Sequence, residues 1–271
     1  MRSGFYSIQN YQVSQALFPD TPIPCQIFIF LGTMASNMSK NPIPIIAIDG
    51  TASSGKGTLA YQLARHFGFN YLNSGALYRL AVHLAITDGL SLDDMSEKNM
   101  DKIVSLLQNA EVAFQGKDVI YKEVNIWPIL SSQEIGNNAS KIAFYVPLRH
   151  AIKDFQRKRI LPPGLVAEGR DMTTEVFTDA HVKIFLTATV EERARRRLAE
   201  EKRRGSGKTY ELLCEELRKR DKNDMNRPLG ALRRADDALF VDNTNMSPKA
   251  TLAHCIKICE EKGIKKVNNR Q

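Results

Sequence analysis

The sequence predicts an α/β fold in which a parallel sheet is flanked by helices, and three observations predict it. First, Ile43-Pro44-Ile45-Ile46-Ala47-Ile48-Asp49 is an almost unbroken apolar run, the composition of a strand buried on both faces. Second, a glycine-rich turn, Gly50 to Gly57, follows it directly and leads into a segment with Leu59, Leu63 and Phe67 on one helical face. Third, short apolar runs alternate with longer amphipathic segments through the rest of the chain.

In chain order, helices are expected at 58–67, 74–87 and 97–108, the second starting just after a strand. Short buried strands are expected at 165–168 and 182–186. Charged helices follow at 190–202 and 210–222, then a last strand at 238–241 and a closing helix at 248–262. Two or three short alternating strands within 111–126 break this pattern, with Gln115-Gly116-Lys117 as a turn, and predict a small antiparallel insert. No internal repeat is present, and the charged run 191–204 is the one low-complexity feature.

The composition narrows the class. With 43% hydrophobic and 25% charged residues in 271, the chain can bury a sizeable core, and no stretch approaches the ~18 apolar residues that span a bilayer. The net charge of +8 is not carried by a tail; many cations lie between Arg193 and Arg234, mixed with acids and poor in aromatics. That pattern disfavours a nucleic-acid surface and suits a basic wall around a small polyanion. Cys25, Cys214, Cys255 and Cys259 form no Cys-x-x-Cys pair, and the five histidines show no metal spacing. No resident metal is expected, and the cysteines read as buried thiols of a reduced, cytoplasmic protein. Residues 1–42 show no helical or strand period. They read as an N-terminal extension, either disordered or preceding a true start at Met34 or Met38.

Gly50-Thr51-Ala52-Ser53-Ser54-Gly55-Lys56-Gly57-Thr58 is the strongest local signal. Glycines let backbone N–H groups surround phosphate oxygens, the helix starting here directs its positive end at the same anion, and Lys56 adds a mobile charge. The Ser/Thr usual directly after the lysine is replaced by Gly57, with Thr58 one place later. This Gly-Lys-Gly-Thr form is common among kinases of nucleoside monophosphates. Phosphoryl transfer needs positioning and charge neutralisation above all. Guanidinium forks for it are available in three places: Asn73-Ser74-Gly75-Ala76-Leu77-Tyr78-Arg79, Glu168-Gly169-Arg170-Asp171 directly after a buried strand, and the segment from Arg220-Asp221 through Asp224 to Arg227. Arg193, Arg195, Arg196, Arg197, Lys202, Arg203 and Arg204, followed by Gly205-Ser206-Gly207, predict a closing lid that excludes water. Arg193 and Arg197, one helical turn apart, are expected to face the donor phosphates.

These residues resemble the bacterial cytidylate kinase family from about Ile45 to the C-terminal helix. The most specific parts are Ile48-Asp49-Gly50 with Gly55-Lys56-Gly57-Thr58, Ser74-Gly75 with Tyr78-Arg79, Asn137-Asn138-Ala139-Ser140, Glu168-Gly169-Arg170-Asp171-Met172, Val182-Lys183-Ile184-Phe185-Leu186, and Arg220-Asp221 with Asp224 and Arg227. The resemblance implies a phosphate-loop core, an insert at about 109–130 in the monophosphate-binding region and a helical lid at about 191–209, within a domain at 43–265 and before a tail at 266–271. It implies transfer of the ATP γ-phosphate to CMP or dCMP, with Mg²⁺ bridging the donor phosphates. The loop, Gly50 to Thr58, would hold ATP. Ser140, Arg149 and Asp171 match positions that read cytosine, Arg79, Arg170 and Arg227 those that hold the acceptor phosphate, and Arg220 and Asp224 those at the sugar, with Ser74 also in the acceptor site. Cytosine offers an N4 donor to a carboxylate and O2 and N3 acceptors to Arg and Ser. Two residues depart from the family pattern: Asn73 stands where Asp is usual, and Thr173 where glycine is usual. The implied protein is a monomer that engages neither nucleic acid nor membrane. The alternatives are a kinase of another monophosphate such as UMP, an ATP-binding regulatory protein, and a basic RNA-binding protein.

Overall fold

The computed structural model describes residues 42–203, 205 and 207–267. Met34, Met38, Cys25, Arg204, Ser206, and all of the extension and tail except 42, 266 and 267 lie outside the described residues. Five parallel strands form the central sheet in the order β2-β6-β1-β7-β8: β1 (Ile45–Gly50), β2 (Asn70–Asn73), β6 (Leu165–Glu168), β7 (Val182–Thr187) and β8 (Leu239–Asp242).

The apolar run of β1 is explained by its central place. Ile45 and Ala47 point into a core shared with helices α2 (Ser74–Thr87), α3 (Glu97–Gln108) and those of 133–157, while Ile46 and Ile48 point into the opposite core. That second core is covered by α1 (Lys56–Phe67) and α9 (Pro248–Glu261), whose Cys255 and Cys259 are both fully buried. Burial pushes both thiols up to about 12, so they stay protonated and inert. A third, smaller cluster packs α7 (Val190–Arg203) and α8 (Tyr210–Met225) against Ala52 of the glycine-rich loop.

The expected insert is present as an antiparallel sheet of β3 (Val112–Gln115), β4 (Asp118–Tyr121) and β5 (Val124–Asn125), turning at Gly116-Lys117. Gly116 has φ +60, and a Cβ there would lie 3.2 Å from the Tyr61 ring of α1, so a glycine lets the hairpin tip rest on that helix. Three helices were not expected: α4 (Trp127–Leu130), α5 (Gln133–Ile142) and α6 (Val146–Arg157). A single π-helical turn, Met172–Val176, follows β6. The helices at 74–87 and 97–108 and the strand at 165–168 match expectation, and other boundaries differ by one to three residues, the largest extension being α8, which continues to Met225. Among the described residues, no helix is long and apolar enough to cross a membrane.

Candidate active site

The loop after β1, the turn after β2, the turn after β6 and the segment after β8 all leave the sheet at the carboxyl ends of its strands, where open α/β sheets bind ligands. Gly50 makes the first exit possible. Its φ is +152, and a Cβ would lie 1.9 Å from the Leu186 carbonyl oxygen, so no other residue fits.

The loop's carbonyls are tied back by donors. Lys56 Nζ donates to Thr51 O at 3.0 Å, Arg193 to Ala52 O at 3.0 Å, and Arg196 and Asn243 Nδ2 to Ser54 O at 3.3 and 3.0 Å. Tied back in this way, these oxygens are kept from an anion in the loop, while the Ala52 N–H is taken by Asp221 Oδ1 at 3.3 Å. Arg193 does not reach the cleft and corrects the expectation that it faces the donor phosphates. It is 3% exposed, pairs with Asp221 at 2.7 Å and also donates to Ala188 O. It lies near the start of α7, against the core, so its length is spent bracing the loop. Arg197, one turn further out, does line the cleft, where it bonds Gln133 and pairs with Glu201 at 2.7 Å.

The cleft has a volume of about 800 Å³. Residues 52–58 of the loop line it; Gly50 and Thr51 shape it from beneath without lining it. Ser74, Arg79 and Ser140 line it from α2 and α5. Ser74 Oγ accepts from Gln156 at 2.7 Å, Ser140 Oγ donates to Gly136 O at 3.2 Å, and Arg79 donates to Ser132 O at 2.9 Å. Gly136 leaves room for that guanidinium, since a Cβ would lie 2.5 Å from it.

Arg170, Asp171, Arg220, Asp224 and Arg227 also line it. The Asp224 carboxylate, 1% exposed, is shared: Oδ2 accepts from Arg170 Nε at 2.7 Å and Oδ1 from Arg227. Burial opposes its charge, but Arg170, Arg227 and Arg220 overcome this and hold its pKa below the usual range. Arg220 Nε and Arg227 Nε are buried with no acceptor among the described residues, as is Ser54 Oγ. Buried donors without acceptors are costly, so these point to an anionic ligand. Burial, and then the charge of Arg170, lowers Lys56 to about 7. Cations thus repel one another in this cleft until a polyanion neutralises them.

Asp171 and Arg149 form a buried ion pair, 9% and 4% exposed in their side chains. Arg149 sits behind Asp171 rather than lining the cleft, and also donates to Ala143 O at 3.1 Å. Burial raises the Asp171 pKa against the pull of Arg149 and Arg227. Gly230 seals the pair, since a Cβ there would fall 1.8 Å from the Arg149 guanidinium.

Several residues take places at the site for which the sequence assigned no specific role, although Glu168 stood in the Gly-Arg-Asp motif and Arg196 in the expected lid. Glu168 lines the cleft beside Gly57, Arg196 and Asn243 hold the loop, and Lys117 reaches the cleft from the hairpin tip with its Nζ 4.8 Å from the Tyr61 ring. The signal for Glu168 and Asn243 was position alone, at the ends of β6 and β8. Trp127 starts α4 and lines the cleft. Asn73, in place of the usual Asp, caps α2 by accepting from Ala76 N at 3.2 Å.

Comparison with known proteins identifies the family. The profile of the family described as cytidylate kinase matches residues 46–261. The chain is 40% identical over 227 residues to a cytidylate kinase of Pseudomonas aeruginosa, covering 82% of this chain and 97% of the relative. It is 37% identical to a cytidylate kinase of Methylococcus capsulatus, covering 82% and 99%, and 39% identical to one of Aliivibrio salmonicida, covering 81% and 97%.

Proposed function

The chain belongs to the cytidylate kinase family, and from that premise we propose that it transfers the γ-phosphate of ATP to CMP and dCMP, giving CDP and dCDP. The observation that carries this reading is that Asp224 binds Arg170 and Arg227 on its two oxygens beside the phosphate loop, with the buried Arg149–Asp171 pair in the same site.

The loop amides and Lys56 hold the donor phosphates. Arg79, Arg170 and Arg227 hold the acceptor phosphate, Arg220 and Asp224 the sugar, and Asp171 and Ser140 the cytosine edge, with Arg149 behind Asp171 holding its carboxylate in place. One acceptor-phosphate oxygen attacks the γ-phosphorus as the bond to the β–γ bridging oxygen breaks, and ADP leaves with that electron pair. The nucleophile is already anionic, so no general base is required. Cations on both sides offset the repulsion between two polyanions and the charge that develops between them. Residues 109–130 form part of the acceptor side, and 191–209 act as the lid, with Arg196, Arg197 and Arg203 its cations along the cleft.

Mg²⁺ accompanies ATP. Among the described residues, no three His, Cys, Asp or Glu side chains cluster as a resident metal site. An ion that arrives on phosphates needs few protein oxygens, and the Thr58 hydroxyl and Glu168 carboxylate line the cleft beside Lys56. These two would hold it, and when bound it neutralises phosphate charge. On this proposal the protein acts as a cytoplasmic monomer.

ADP production from ATP with CMP, dCMP, UMP, AMP and dTMP offered separately tests the reading. Turnover confined largely to the two cytidine nucleotides is expected; equal use of several acceptors would remove the cytosine assignment. A proton balance gives a second test. Lys56, at about 7 in the free protein, is mostly neutral at pH 8 and becomes charged against phosphate. ATP binding at pH 8 is therefore expected to take up about one proton and to weaken as pH rises above 7. Calorimetry in two buffers of different ionisation heat measures the uptake, which Lys56→Met should abolish.

A further inference from the structure

Asp49 belongs to none of the roles assigned above, yet it is 0% exposed and stands immediately before the phosphate loop. No cation pairs with it among the described residues. Its carboxylate is instead held by three donors from the turn that carries Arg170 and Asp171. Oδ1 accepts from Met172 N at 2.8 Å, and Oδ2 accepts from Thr173 N and Thr173 Oγ, both at 2.7 Å. A buried carboxylate without a counter-ion is a costly way to join two segments, and an apolar contact would do so more cheaply. What the carboxylate adds is fixed direction, because three donors converge on one planar group.

The consequence is geometric. β1 delivers the donor loop and β6 delivers Arg170 and Asp171. β1 and β6 are paired from Ile45–Leu165 to Ile48–Glu168, and Asp49 extends that registry one step beyond the ladder into the turn. The π-helical turn Met172–Val176 starts at the two residues Asp49 holds. Thr173 supplies the third bond from its side chain, 2% exposed. A glycine there would leave only the two backbone donors.

We infer that Asp49 and the Thr173 hydroxyl form a positioning pair that fixes the acceptor-reading Arg170–Asp171 turn relative to the donor loop, and that Thr173 tightens acceptor binding in this chain. The inference rests on the proposed CMP reaction. Hydrogen bonds to charged groups contribute more than neutral ones. Removing this one is expected to weaken CMP binding roughly tenfold.

The experiment is calorimetric titration of CMP, and separately of a non-hydrolysable ATP analogue, into wild type, Thr173→Val, Thr173→Gly and Thr173→Ser, with kcat and KM for both substrates. Valine keeps the shape and loses the hydroxyl; serine keeps the hydroxyl. Thr173→Val and Thr173→Gly should bind CMP more weakly and show a raised KM for CMP with unchanged affinity for the ATP analogue, and Thr173→Ser should match wild type. CMP affinity unchanged in Thr173→Val would overturn the inference. Equal weakening toward both nucleotides together with a lower melting temperature would also overturn it, since the hydroxyl would then serve the fold alone. Wild type that fails to phosphorylate CMP would instead defeat the proposed function.

Discussion

Replacing Lys56 by methionine is expected to lower kcat by about a thousandfold, the upper range for removing one preorganised charge from a transition state, without destabilising the protein. Lys56 is 5% exposed, and methionine keeps the stem that the loop encloses and removes only the ammonium, which is bonded to Thr51 O at 3.0 Å. The stability half of the expectation follows from sign. The folded pKa of about 7 lies below the ordinary lysine value of 10.5. The folded state thus binds fewer protons than the unfolded chain between those values, and stability rises with pH across that window. At and below neutral pH the charged lysine is a cost to folding that methionine removes. Steady-state kinetics and thermal melting of the variant at pH 7 together make the check. A kcat within tenfold of wild type would shift the donor-phosphate role to Arg170 and Arg220.

Asp171→Ala is expected to act on both specificity and stability. Discrimination for CMP over UMP should fall by about two orders of magnitude, the loss of one charged hydrogen-bonding partner to the base plus the misplacement of Arg149 behind it. Stability should fall by ~3–5 kcal/mol, because Arg149 is left charged and unpaired in a site where its side chain is 4% exposed. Two further variants separate the effects. Asp171→Asn keeps the shape and one acceptor oxygen, and should lose less stability. The double variant Asp171→Ala/Arg149→Met removes both buried charges and should regain stability without regaining discrimination. Denaturant unfolding and kcat/KM for the two acceptors measure these. Unchanged discrimination in Asp171→Ala would leave the kinase but move base reading elsewhere in the cleft.

What the sequence made legible was local. β1, the glycine loop and α1 are adjacent in the chain, so their pattern carries its own context. The hairpin at Gly116-Lys117 is likewise written in neighbouring residues. The helices of 127–157 were not legible because their residues argue against helix when taken singly. Pro128 and Pro147 punctuate the segment, and Gly136, Asn137 and Asn138 are poor helix formers. The structure shows why helix wins. Ser132 caps α5 by accepting from Ile135 N, and Ile135, Ala139 and Ile142 then bury one face. Pro128 and Pro147 stand in the first turns of α4 and α6, where proline starts a helix rather than breaking it. Spacing brought Arg193 and Arg197 to one helix face but could not say how far along the axis the core ends. It ends between them, so one braces the loop and the other meets the cleft. The bonds of Asp49 to Met172 and Thr173 join residues over a hundred positions apart, which no local pattern encodes.

The strand order also governs how the chain comes to be folded. β1 is made first among the sheet strands but lies at the centre, between β6 and β7. Its partners, Leu165 to Glu168 on one side and Val182 to Leu186 on the other, emerge from the ribosome only after most of the domain has been synthesised. Until then Ile45, Ile46 and Ile48 have neither neighbour and stay available for wrong pairing. Parallel pairing across such sequence separation is slow, because loop-closure entropy must be met before contacts form. Biogenesis of this protein is therefore most vulnerable during synthesis of the segment before Leu165, and a nascent chain halted there should depend on chaperones that bind short apolar stretches.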